Sequence, residues 1–407
     1  MAGRTIAVMG RLVDQNDGIG VYGQNLLREM LRMDPDTQYV ILLDTPKHEP
    51  TFRAFSNARV VVMPARSKLY WDQVLVARAA RKFNADLIFN PKFSVPFLAR
   101  RPCVFVQQGS DWYVNPQNYP WWDNLYIRLM LPLYSWKAAR TLAISQATLN
   151  DLAKYTCIDV RNSVVSYAGV GPNFNPETDA RALEEFRAEY ALPERFILTV
   201  ARVLHGGLRH LPPYPGGNNE RLVRAYRRYR DAGGDLPLVV VGARVDEYLR
   251  ARGFSDLDLE GIRFLGFVPN ARLHLAYQSA ECFVLATLCE SFGIPIVEAQ
   301  ACGCPAIVPN TCAGPEIAGG AARLIDPRNE EDIARALAEV TGSEQLRRRL
   351  RELGLERVQT LTWKETARRT LAVLDELVPA RTASRAEAAG APRSSAPVED
   401  VDSRVWP

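Results

Sequence analysis

The 407-residue sequence predicts an α/β protein of two successive doubly wound domains. Short apolar runs alternate with helical stretches along most of the chain. That alternation restarts after a Pro- and Glu-containing stretch at 173–195. The composition is 47% hydrophobic, 24% charged and 9% aromatic, which excludes collagen, coiled coil and wholesale disorder.

In the first half, strands are expected at 5–12, 39–43, 60–63, 87–89, 104–107 and 141–144, each rich in Val, Ile and Leu. Helices are expected between them at 23–33, 72–83 and 146–155. In the second half, strands are expected at 196–200, 238–241, 283–286, 306–308 and 322–325, with helices at 221–231, 271–279, 295–302 and 331–341. The resulting division is a first domain of residues 1–178, a second of 190–365, a C-terminal helix at 366–380 and a tail at 381–407. The tail has the composition of a disordered segment.

Fifty cations face 46 anions, for a net charge of +4, too balanced for a dedicated nucleic-acid binder. The first residues lack the charged and apolar regions of a signal peptide, and no run approaches the ~18 apolar residues of a spanning helix. A cytoplasmic protein is expected. The seven Cys form no C-x-x-C pair, and Cys302 and Cys304 have no second pair to frame a zinc site. Buried free thiols and no metal are therefore expected. Arg outnumbers Lys by 43 to seven, a skew that GC-rich codon usage explains, and no Lys lies between Lys154 and Lys364.

Residues 18–23 read G-I-G-V-Y-G, and Asp44 lies 21 residues further on, a dinucleotide-fingerprint spacing. In that fingerprint the first Gly ends the first strand directly. Here R-L-V-D-Q-N-D intervenes, which puts the glycines in a longer loop before the helix. Three readings stay open: a nicotinamide site, a turn without ligand, and a loop facing a phosphate or sugar across a cleft.

The chemistry concentrates in 284–327. A strand ends in a loop holding Glu290; Ser291, Phe292 and Gly293 follow; Pro295 suits a first helical turn, and Gly303 a helix end. The helix N-terminus would face the C-terminal edge of the sheet, where open α/β folds bind ligands. Glu290 and Glu298 could then reach different parts of one elongated ligand, and carboxylates suit the vicinal hydroxyls of ribose and hexose. Two carboxylates alone fit equally well a surface Glu and a Glu that complements the helix dipole.

Glu290-x7-Glu298, set in E-S-F-G-I-P-x-x-E-A-x-A-C-G-x-P and followed by P-E-I-A-G-G-A-A-x-L-x-x-P, resembles the signature of the family-4 retaining glycosyltransferases. Weaker likenesses are G-x-G-x-Y-x-x-x-L from Gly18, S-V-V-S-Y-A-G-V-x-x-x-F ending at Phe174, F-L-G-F-V-P at 264–269, and Trp363 with its following helix. The resemblance implies the GT-B fold, two Rossmann-like domains facing a central cleft, with the C-terminal helix returning to the first domain. It implies that Glu298 binds the ribose of a UDP- or GDP-linked sugar and Glu290 the transferred sugar. Ser291, Phe292, Gly293, Ile294 and Gly20 would line sugar and phosphate, Val268 and its neighbours would sit beside the base, largely through backbone groups, and Arg202 would hold the diphosphate. Two departures stand out. Gly217 occupies the position of the family's usual Lys, after an insertion that makes Arg209 the replacement candidate. The family's His turn reads Gln107-Gln108-Gly109-Ser110-Asp111-Trp112, so Gln108, Asp111 and Trp112 are the acceptor-side candidates. Gln108 cannot shuttle a proton as His would.

The expected reaction is transfer of a hexose to a hydroxyl of a glycan or lipid-linked acceptor, without metal or other cofactor, in surface polysaccharide synthesis. The aromatic and basic residues of 111–140 fit helix packing, sugar stacking or peripheral membrane contact. A non-catalytic scaffold of the same fold and a nucleotide-sugar epimerase are the alternatives.

Overall fold

The computed structural model describes residues 3–15, 18–156, 159–201 and 217–379. Arg202, Arg209 and the 381–407 tail lie outside the described residues.

Thirteen strands form two all-parallel sheets among these residues. The first sheet holds β1 (Thr5–Met9), β2 (Gln38–Leu43), β3 (Ala58–Val62), β4 (Leu87–Asn90), β5 (Cys103–Gln107), β6 (Arg140–Ala143) and β7 (Ser163–Val165). Its order is β3-β2-β1-β4-β5-β6-β7. The second holds β8 (Ile197–Val200), β9 (Leu238–Val241), β10 (Ile262–Gly266), β11 (Cys282–Val284), β12 (Ala306–Pro309) and β13 (Ala322–Ile325). Its order, β10-β9-β8-β11-β12-β13, repeats the same winding. Both are doubly wound, with the strand order reversing beside β1 and beside β8, and ligands of such sheets bind outside the strand ends at that reversal. The central strands are buried on both faces, so they read as continuous runs such as Leu-Val-Val-Val in β9. β7 and β10 escape a reading by apolar run, because β7 has three residues and β10 interleaves Arg263 and Gly266.

β1 is shorter than its apolar run. It stops at Met9, and Gly10–Asp14 forms a 3-10 turn. A Cβ on Gly10 would sit 2.9 Å from the Leu42 carbonyl oxygen, so the turn packs tightly against β2. The expected glycine loop is in fact helix: Gly18–Met33 is helical from its first glycine. A Cβ on Gly20 would fall 1.8 Å from the Gln15 carbonyl oxygen, so this glycine lets the helix meet the preceding chain. The close approach is backbone on backbone, which leaves the dinucleotide reading without its geometry.

The helix Trp363–Leu377 packs along Gly18–Met33, where the Tyr22 and Trp363 rings meet edge to face at 5.6 Å. Arg4, 2% exposed, fastens its far end. The guanidinium pairs with Asp34 at 2.7 Å and with Asp375, and donates to the Val378 carbonyl at 2.7 Å. The chain thus ends its described part on the half where it began. Among the described residues, no helix is long and apolar enough to cross a membrane.

Candidate active site

A cavity of about 530 Å³ opens where the C-terminal ends of the two sheets face each other. The second sheet contributes Thr199, Val200 and Ala201 at the end of β8, and residues between Leu285 and Pro295 after β11. The first contributes the start of helix Gly18–Met33 and the Gln108–Trp112 turn after β5.

The β11 loop is held from three sides. Ala313 N–H donates to the Glu290 carbonyl at 3.0 Å, and the Thr311 hydroxyl to the Leu288 carbonyl at 2.9 Å. Cys289 and Cys312 form a disulfide, which corrects the expectation of free thiols throughout. Adjacent parallel strands lie about 4.8 Å apart, so loops leaving β11 and β12 bring these two residues to a Cα separation of 5.4 Å although 23 residues separate them in sequence. Cys103, Cys282, Cys302 and Cys304 are buried free thiols, and Cys157 lies outside the described residues.

Gly293 turns the loop into helix Ile294–Ala301 at a φ of 86°, a left-handed conformation that favours glycine. Pro295 follows in the first turn, and Gly303, at a φ of 67°, ends the helix. Glu298 points inward from the first turns and is 6% exposed. The Tyr277 hydroxyl donates to its Oε2 at 3.1 Å. Burial outweighs that bond and pushes the Glu298 carboxyl up to about 7. Burial likewise pushes Glu290 up to about 7, and the Asp111 charge across the cavity adds in the same direction. Two carboxyls of raised pKa thus face one cavity, beside a helix N-terminus that favours negative charge.

On the opposite wall, Asp111 accepts from Asn115 Nδ2 at 2.6 Å and from the Tyr119 hydroxyl at 2.8 Å, and burial raises its carboxyl. Gln108 donates through Nε2 to the Pro91 carbonyl at 2.7 Å. Trp112 and Tyr119 lie 5.4 Å apart and both line the cavity. A Cβ on Gly109 would meet the Ser291 hydroxyl at 2.3 Å, so glycine lets the two halves touch here.

Three further hydrogen bonds hold the halves together. Ser145 caps helix Gln146–Tyr155 by accepting from Thr148 N–H, and its hydroxyl also donates to the Ser291 carbonyl at 2.6 Å. Glu316 accepts from Gln146 N–H at 2.7 Å and from Ala147 N–H at 2.8 Å, so a carboxylate of one half caps a helix of the other.

Among the residues singled out by sequence, Glu290, Ser291, Phe292, Gly293, Ile294, Glu298, Gln108, Asp111 and Trp112 all line the cavity. Gly20 and Val268 do not: Gly20 packs on Gln15, and Val268, 4% exposed, belongs to the apolar core. Sequence reasoning missed Ser145, Glu316, Tyr22 and Thr287. The Tyr22 hydroxyl is buried at the cavity without a hydrogen-bond partner among the described residues, and the Thr287 hydroxyl lies beside the Glu290 carboxyl, whose charged form it favours. Ser145 could have been found as a helix N-cap, and Glu316 stands inside the P-E-I-A-G-G motif. No group of three or more His, Cys, Asp or Glu among the described residues could hold a metal ion.

Comparison with known proteins agrees with this geometry. Residues 216–357 match the model of the family "Glycosyl transferases group 1". O-antigen chain mannosyltransferase B of Escherichia coli is 31% identical over 375 residues, covering 87% of this chain and 94% of that protein. The serotype-specific mannosyltransferase WbdA of Escherichia coli is 26% identical over 237 residues, which is 57% of this chain and only 28% of that longer protein. Among solved structures, Anabaena HepE in complex with UDP-glucose superposes with a TM-score of 0.71 at 16% identity, covering 92% of this chain and 100% of that one. The architecture is the GT-B fold, and the chain belongs to the group 1 glycosyl transferases.

Proposed function

We propose that the protein transfers a hexose, with retention of anomeric configuration, from a UDP- or GDP-linked sugar to a hydroxyl of a glycan or lipid-linked acceptor in surface polysaccharide synthesis. One observation carries the reading: Glu290 and Glu298 share a single interdomain cavity beside the N-terminus of helix Ile294–Ala301. Glu298, at the buried end, receives the ribose hydroxyls. Glu290, facing Asp111, receives hydroxyls of the transferred hexose. The acceptor oxygen attacks the anomeric carbon as the bond to the leaving diphosphate breaks, and the acceptor proton passes to a departing phosphate oxygen. The protein's part is to position the two substrates and to stabilise charge on the leaving group. The helix N-terminus contributes to that, and Arg202 and Arg209 are the proposed clamp. The step as proposed is written without a metal or other cofactor. The relatives named above, two mannosyltransferases, favour mannose, and the HepE complex favours a uridine donor.

The acceptor side supports a membrane-bound substrate. Helix Trp121–Lys137 buries Ile127, Leu131 and Tyr134, yet its outer face carries Trp122, Leu125, Leu129, Leu133 and Trp136, exposed by 47–82%. An outer face on a water-soluble helix is ordinarily polar. With Arg128 and Lys137 beside it, this stripe suits the boundary of an anionic bilayer, where the protein would sit peripherally.

The test is a donor screen by nucleotide release with purified protein, then transfer by Glu290→Ala and Arg202→Ala. Near-normal transfer by both variants overturns the reading. Failure to bind either UDP or GDP in a calorimeter favours the scaffold alternative.

A further inference from the structure

We propose that the Cys289–Cys312 disulfide is a thiol-responsive lock that ties the loop carrying Glu290 to the first half of the molecule. β11 and β12 pair Phe283 with Ala306 and Val284 with Ile307, a separation of 23 residues that Cys289 and Cys312 repeat. The register continues beyond both strands. The Thr311 hydroxyl donates to the Leu288 carbonyl at 2.9 Å, Cys289 is bonded to Cys312, and Ala313 N–H donates to the Glu290 carbonyl at 3.0 Å. Three successive links thus carry the strand register into the two loops, and the middle one is covalent.

Both loops lead to one helix end of the first half. Ser291 follows Glu290, and its carbonyl accepts from the Ser145 hydroxyl at 2.6 Å. Helix Gly314–Ala318 follows Ala313, and its Glu316 accepts from Gln146 and Ala147 N–H at 2.7 and 2.8 Å. All three donors belong to the cap and first turn of helix Gln146–Tyr155. The bridge therefore fixes the spacing of two grips on one helix end.

Cys312 shows what the bridge restrains. Its φ is 52°, a left-handed conformation that is unfavourable for a residue with a Cβ. Such a conformation persists where the surroundings over-determine it. With the bridge open, the hydrogen bonds on either side hold it alone. Arg357 still donates to the Glu316 and Ile317 carbonyls at 2.9 and 3.0 Å, so helix Gly314–Ala318 keeps an anchor while the loop before it relaxes.

The sulfurs can be reached in the folded protein. Cys289 lines the cavity and Cys312 is half-buried. One thiolate of a dithiol attacks a bridge sulfur and forms a mixed disulfide, and the other bridge sulfur leaves as a thiolate and takes up a proton. The second thiolate of the reductant then attacks the mixed disulfide and releases the second protein thiol. The protein gains two electrons and two protons, and the dithiol becomes a disulfide. Glutathione disulfide reverses the exchange and leaves as two glutathione thiols.

The experiment compares the full chain oxidised with glutathione disulfide, the same protein after dithiothreitol, and Cys312→Ser. Alkylation with peptide mass spectrometry locates free thiols, and hydrogen exchange and initial rates of nucleotide release read the effect. Cys289 and Cys312 should be labelled in the folded protein only after dithiothreitol. Reduction should speed amide exchange at 145–149 and 310–318 and lower kcat/KM by about fivefold or more, the lower end of coupling between a switch and a site. Cys312→Ser should match reduced wild type and not respond to dithiothreitol. A bridge that fails to form, or that opens only on unfolding, overturns the proposal. So does a lower melting temperature without faster exchange in those segments, the mark of a merely structural crosslink. An equal dithiothreitol response in Cys312→Ser overturns it as well. The rate readout rests on the transferase reading: if no donor is turned over yet exchange responds to reduction, that reading falls and the lock stands.

Discussion

The two halves of the cleft share one strand order but present different chemistry to it. After β8 and β11 the second sheet offers two buried carboxyls, a helix N-terminus and a loop fixed by Thr311, Ala313 and the Cys289–Cys312 bridge. After β4 and β5 the first sheet offers aromatic rings, one hydrogen-bonded carboxyl and lysines over Phe93. The difference shows how one fold, used twice, can present unlike chemistry to one cavity: an acidic wall on a loop held in place, which the proposed function assigns to the donor, and an aromatic wall, which it assigns to the acceptor.

The sharpest way to break this contrast is Glu290→Ala. If the acidic wall recognises the reacting sugar, kcat falls by about 100- to 1000-fold, the scale of losing an aligned polar group at a reaction centre; initial rates of nucleotide release check it. Glu316→Ala tests whether the halves must be held together. It removes two charge-assisted bonds across the cleft, worth about 1.5–3 kcal/mol each. We expect kcat/KM about tenfold lower or worse, and a larger radius of gyration by small-angle scattering in the absence of donor. Glu316→Gln, which keeps an acceptor oxygen, should recover part of both.

A pH experiment sharpens the acidic side. The Glu298 carboxyl is raised from 4.5 to about 7, so its contribution to stability is fully present below its unfolded value and is lost as pH rises through about 7. Glu298→Gln without ligand should therefore melt above wild type at pH 8.5, by about 1–2 kcal/mol in stability, and the gap should close toward pH 4.5. Thermal unfolding followed by circular dichroism at both pH values measures it. The smallest effect belongs to the outer face of the basic half. Trp122→Ser with Trp136→Ser should reduce flotation with anionic vesicles by about fivefold, since interfacial binding scales with buried apolar area, and leave donor KM unchanged.

The β11 side of the cavity was far more legible in sequence than the β5 side. Glu290, Pro295, Glu298 and Gly303 fall within 14 consecutive residues, and each marks a local event: a loop, a first turn, an inward carboxyl, a helix end. Local chemistry of that kind survives in one dimension. Helix Gln146–Tyr155 carries its signal the same way, through a Ser145 cap and apolar periodicity. Contacts made by the fold left no such trace. Ser145 meets Ser291 across 146 residues, Glu316 meets Ala147 across 169, and Cys289 finds Cys312 only because their strands are neighbours. Val268 is a different case: the motif concerns its backbone, and its side chain belongs to the apolar core. Helix Trp121–Lys137 was seen as an aromatic segment, and only the structure separates its buried Ile127, Leu131 and Tyr134 from the outward tryptophans.

The central claim is that the acidic wall binds a nucleotide sugar for transfer. Nucleotide release from a panel of UDP- and GDP-sugars, run in parallel with wild type and Glu290→Ala, tests it most directly. The account predicts one preferred donor turned over by wild type and at least about a hundredfold less by the variant. Equal turnover by the two proteins, or none of any donor by wild type with a suitable acceptor present, would contradict it.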